Sequence, residues 1–240
     1  MVYFQLTPTR ILTIYIAQGL ACFVFLFLAY KILKRDRKRL NVIFSMFYLF
    51  PVFGFFMNFI YGPMTDEFLV SIFNFLTNFG IFYSPIFIVV FELILLKSEK
   101  VISTSKQLLI IIIYGIALFG MLFFLFVPGF GVTIEGPSWS PVWSLPFFIY
   151  VFSVVTIGAV IPTLYFSIQI FKKFEDAVLK KRWKFFILGF CALVFFMYGI
   201  FISNTLNIPT FRIVIVGAGL ILDLIGAYLM YFGVGRQIEK

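Results

Sequence analysis

The chain has no histidine among its 240 residues, two cysteines, and ten acids against nineteen lysines and arginines. Without histidine there is no His-ligated metal site, no HExxH intramembrane protease and no serine–histidine hydrolase. Cys22 and Cys191 both sit inside apolar runs, where they read as small packing residues, so thiol chemistry is not expected either. No glycine-rich phosphate loop and no Asn-x-Ser/Thr acceptor occurs. These absences argue against an enzyme, and the sequence calls for neither a cofactor nor a metal.

Charge is scarce altogether, at 12% of residues, whereas 62% are hydrophobic and the mean hydropathy is +1.09. A run of about 20 apolar residues is enough to cross a bilayer. Such runs fall at about 9–33, 42–61, 68–96, 107–127, 146–171, 185–206 and 211–234. The sequence therefore predicts an all-α polytopic membrane protein, a single domain over 1–240 made of seven transmembrane helices, in a cell membrane.

The basic residues alternate between connections. Lys31, Lys34, Arg35, Arg37, Lys38 and Arg39 follow the first run, Lys97, Lys100 and Lys106 the third, and Lys172, Lys173, Lys180, Lys181, Arg182 and Lys184 the fifth. Arg236 and Lys240 follow the seventh, while the other connections hold only Arg10 and Arg212. By the positive-inside rule the N-terminus is expected outside and the C-terminus inside. The net charge of +9 is then accounted for by topology and by anionic lipid headgroups as partners, and no nucleic acid is expected.

In lipid, inward helix faces are marked by small and polar residues. In the third span Ser71, Asn74, Asn78, Pro85 and Glu92 recur at helical spacings, and in the fifth Tyr150, Ser153, Thr156, Thr163 and Ser167 do the same. The second offers Ser45, Tyr48 and Asn58, and the first Gln18 beside Ala21. The fourth, "QLLIIIIYGIALFGMLFFLF", carries only Tyr114 and is expected at the periphery. Pro51, Pro85 and Pro162 predict kinks, tolerated where neighbours satisfy the freed carbonyls. Three kinks on inward helices would open a central cavity.

The seventh span, "RIVIVGAGLILDLIGAYLMYF", puts Gly219, Asp223, Gly226 and Met230 on one stripe, which turns Asp223 into the bundle. It lies eleven residues beyond Arg212, on the order of 16 Å deep. An ionised acid at that depth costs at least ~2.5–3.5 kcal/mol, and no base in any span is placed to pair with it. Its partner is either a polar neighbour such as Asn78 or a hydroxyl of the fifth span, or a proton, a cation or a guest. Glu92, five residues before Lys97, is expected to brace the fold or to reach the headgroups.

The loop "VPGFGVTIEGPSWSPVW" is rich in Gly, Pro and Trp and reads as a folded outer cap. Trp139 and Trp143 either cover the mouth of a pocket or anchor the aromatic belt, and Trp183, between Arg182 and Lys184, is expected to be such an anchor.

Seven spans invite comparison with the microbial rhodopsins, but a retinal Schiff base needs a lysine in the seventh span and there is none between Arg212 and Lys240. The short loops, basic connections such as "KILKRDRKRL", the outer Pro/Trp loop and the exit through "YFGVGRQIEK" together resemble the N-terminal seven-helix sensor region of prokaryotic histidine kinases and related signalling proteins. That resemblance implies a receptor-like sensor of a small or lipidic ligand from the outer side. Because the chain ends shortly after the seventh span, it further implies a separate cytoplasmic signalling partner. The pocket is expected from Asn74, Asn78, Tyr150, Ser153, Thr156 and Asp223, with Trp139 and Trp143 above it. Alternatives are a small transporter coupling protons or cations through Asp223, and a membrane scaffold subunit with no ligand.

Overall fold

The computed structural model describes residues 10–98, 100–135 and 140–235. Seven helices are long and apolar enough to cross a membrane: α1 (Ile11–Arg35), α2 (Arg39–Tyr61), α3 (Glu67–Lys97), α4 (Thr104–Leu125), α5 (Leu145–Lys173), α6 (Ala177–Leu206) and α7 (Pro209–Val234). The chain is a multi-pass membrane protein built as a seven-helix bundle. α6 begins well before its apolar run because Asp176 caps it, accepting hydrogen bonds from the amides of Val178 and Leu179.

Burial ranks the helices. In the most apolar stretch of α3, 72% of residues are buried, against 17% in α4, which places α3 at the centre and α4 at the lipid-facing edge, as its sequence predicts. α6 and α7 pack backbone to backbone through Gly189 and Gly226. A Cβ on Gly189 would stand 2.5 Å from the Gly226 carbonyl oxygen, and one on Gly226 would stand 2.8 Å from that of Gly189. Only glycine permits that approach, the usual device for joining helices in lipid. Tyr48 of α2 locks α7 from the other side by donating to the Ala227 carbonyl at 3.0 Å.

Several helices depart from regular α geometry, α4 ending in a 3-10 turn at Gly120–Leu125 and α7 in a π-helical turn at Tyr231–Gly235. Pro85 divides α3 at Ser84 into Glu67–Tyr83 and Pro85–Lys97. α5 carries a π-helical turn at Thr156–Val160, just before Pro162, and α1 opens with one at Ile11–Ala17. A wide turn inserts a residue into the helix and rotates everything beyond it.

Successive helices run up and down, so the basic connections gather at one end of the bundle. At the other end the α4–α5 loop forms an antiparallel hairpin of β1 (Val132–Glu135) and β2 (Ser140–Trp143), with Val132 opposite Trp143. The Arg212 guanidinium of α7 donates to the Pro141 carbonyl at 2.9 Å and ties the hairpin down. At the basic end, Arg39 of α2 donates to the Gln107 side chain of α4 at 2.9 Å. There the Lys38 ammonium, 3.0 Å from Asp36, holds that carboxyl below the usual range by its hydrogen bond, helped by the Lys38 backbone amide, which also donates to it.

Candidate functional site

α1, α2, α3, α6 and α7 line a partly open cavity of about 200 Å³ in the half of the bundle nearer the hairpin. Its walls are mostly apolar, and its polar contributions come from Thr13, Gln18, Asn78, Ser84 and Asp223. Two of the three kinking prolines, Pro51 and Pro85, line it.

Asp223 is 8% exposed and faces this cavity from the glycine stripe of α7. Among the described residues nothing gives it a hydrogen bond, and the single ion pair there is Lys38–Asp36, far along the chain. Asn78, the neighbour expected to hold it, is engaged elsewhere. Its amide donates to Asn74 at 3.0 Å, and the Asn74 amide donates to the Tyr61 hydroxyl at 3.1 Å. This chain runs along the inner face of α3 towards the hairpin end. A second cross-link joins α1 to α2, Asn58 donating to Gln18 at 2.6 Å.

The residues expected from α5 lie elsewhere. Tyr150 donates to the Ala117 carbonyl of α4. Ser153 faces the groove between α4 and α5 beside Tyr114 and Gly158. The Thr156 hydroxyl is 2.6 Å from that of Tyr198 on α6. The π-helical turn explains the difference. Before it the buried face of α5 is Phe147, Val151 and Val155; after it the buried face is Thr163, Ser167 and Ile170. A uniform helical spacing joined two faces that the extra residue separates.

The tryptophans need correcting too. Trp143 is 2% exposed and packs against Phe82, Phe147 and Phe201, inside the protein rather than in an interfacial belt, and it does not line the cavity. Trp139 lies outside the described residues. Trp183 is buried as well: it stacks on Phe186 at 4.6 Å, and its indole N–H donates to the Ser167 carbonyl at 2.9 Å.

That same Ser167 donates its hydroxyl hydrogen bond to Glu92. Glu92 is fully buried between α3 and α5 and does not reach the headgroups. Its Oε2, and the Oγ1 of Thr163 one turn before Ser167, have no hydrogen-bond partner among the described residues. Nor is there any group of three or more His, Cys, Asp or Glu that could hold a metal ion among those residues.

Of the residues expected at a site, the structure thus brings Asn78 and Asp223 to one cavity, with Asn74 directly behind Asn78. The sequence pattern passed over Thr13 and Ser84. The Ser-Pro step at 84–85 was the available signal, since it marks a break in the most buried helix. No protein-family model matches the chain, and no curated protein matches it by sequence.

Proposed function

We propose that the protein is a receptor-like membrane sensor that binds a small ligand in this cavity and passes the signal to a separate partner at its basic end. The observation that carries the reading is the carboxyl of Asp223 on the cavity wall with no partner among the described residues, because an intramembrane acid marks a functional site by default. On the positive-inside rule the hairpin end faces out, so the cavity is the half of the bundle that an external ligand meets first.

α7 supplies a physical link between the ends. It carries Asp223 at the cavity, packs on α6 through Gly226, and ends in a π-helical turn where a Cβ on Gly233 would stand 2.8 Å from the Arg182 carbonyl oxygen. A guest on Asp223 biases the packing of the α6–α7 pair, and a helix packed that closely carries the bias to the basic rim.

A coupled transporter uses the same acid and is the second reading. The two separate in reconstituted membranes. A sensor shows a ligand-dependent rise in bundle stability, lost in Asp223→Asn, with no solute flux. Proton- or cation-dependent uptake into proteoliposomes, abolished by Asp223→Asn, would instead establish transport. An Asp223→Asn protein that matches the wild type in stability, ligand response and flux removes both.

A further inference from the structure

The cavity is chemically lopsided. It holds one carboxyl, two carboxamides from Gln18 and Asn78, the hydroxyls of Thr13 and Ser84, and no Lys or Arg. Phenylalanine rings from four helices line it, among them Phe25, Phe47, Phe82 and Phe190. An anion finds nothing there to pair with and one carboxylate to repel it. A metal ion finds one carboxylate and, among the described residues, no cluster of acidic ligands, whereas calcium and magnesium sites in proteins are built around carboxylates.

Resting on the sensor reading above, we propose that the guest is an organic ammonium: one positive charge on a compact apolar or aromatic body, with no anionic group. The ammonium pairs with Asp223, which no group among the described residues neutralises. The body fills the apolar remainder, where ring faces attract a nearby cation. Size sets a limit. An engineered cavity of about 150 Å³ holds benzene, so about 200 Å³ accommodates a ring with a short amine-bearing chain. Amino acids and zwitterionic phospholipids are disfavoured by the same lopsidedness, because their carboxylate or phosphate would be buried without a basic partner.

The test uses the full-length protein in lipid nanodiscs and three probes of matched size: 2-phenylethylammonium, neutral propylbenzene and anionic 3-phenylpropanoate. Thermal unfolding and titration calorimetry are the readouts. The ammonium is expected to raise the wild-type Tm and to bind about tenfold or more tighter than propylbenzene. The anion should not bind, and Asp223→Asn should reduce the ammonium to the level of the neutral probe.

If Asp223→Asn does not reach the membrane folded, Leu220→Phe narrows the cavity without touching the carboxyl and should weaken the ammonium in the same way. Equal or tighter binding of propylbenzene to the wild type, or undiminished ammonium binding to both variants, overturns the ammonium assignment. Propylbenzene binding that Leu220→Phe removes leaves the cavity standing as a ligand site for a different chemistry. If no probe binds, the ammonium assignment falls. The sensor reading is then judged separately, by whether a neutral organic extract shifts the wild-type Tm and fails to shift that of Leu220→Phe.

Discussion

The bundle buries two acids in opposite ways. Glu92, in the half nearer the basic end, is enclosed by protein: Ser167 donates to one carboxyl oxygen, Trp183 braces Ser167 from behind, and Phe44, Phe91 and Phe186 pack together in the same half. Asp223, in the hairpin half, is also buried, though less completely, and it borders a cavity and takes no bond from any described neighbour. Burial alone therefore says little about the use of an intramembrane acid. What surrounds the carboxyl separates them: Glu92 has packed side chains and a donor, whereas Asp223 has open space and no donor among the described residues, the difference on which the proposed ligand site rests.

The contrast predicts that the two acids respond differently to truncation, and the largest effect should fall at Glu92. Glu92→Ala removes the acceptor of Ser167 and leaves a hole between α3 and α5, so it should cost about 2–4 kcal/mol in unfolding free energy. Glu92→Gln keeps the volume and an acceptor oxygen, and should cost less than ~1 kcal/mol. Denaturant titration in detergent micelles measures both. A Glu92→Ala protein that unfolds with the wild type would break the contrast at its packed end.

Ser167→Ala comes next. It strips Glu92 of its one donor and should cost about 1–3 kcal/mol, the penalty for a buried polar group left unsatisfied. Because Ser167 and Glu92 share one hydrogen bond, the cost of Ser167→Ala should shrink when measured in a Glu92→Ala background. Additive effects would mean that each residue acts through other neighbours.

Much of this was legible in the sequence, and the failures share a cause. The seven spans emerge from hydropathy because lipid requires long uninterrupted helices, and the Gly219–Asp223–Gly226–Met230 stripe emerges because α7 is regular from Pro209 to Met230. The α5 residues went astray because periodicity assumes one constant turn, and Thr156–Val160 is not such a turn. Trp183 went astray, and the headgroup alternative for Glu92 fell while the bracing one held, because depth along a helix does not decide exposure; α3 is buried almost to its basic end, so a residue five positions before Lys97 is still core. Cys191 errs the other way, an exposed residue in a span where packing was expected. Helix contacts, not spacing, settle these positions.

The smallest expected effect is also the one that most sharply separates the cavity from the pocket that spacing alone predicts. Tyr150 belongs to that predicted pocket, but its hydroxyl donates to the Ala117 carbonyl of α4 and it does not line the cavity. Tyr150→Phe therefore removes one half-buried hydrogen bond between α4 and α5, which should cost about 0.5–1.5 kcal/mol. Binding of 2-phenylethylammonium should be unchanged, because α4 and α5 contribute nothing to the walls around Asp223. Were Tyr150→Phe to weaken the ammonium as much as Asp223→Asn does, the guest would have to span α5 and α7 together. The site would then be the one drawn from uniform spacing, and the π-helical turn at Thr156–Val160 would no longer separate α5 from it.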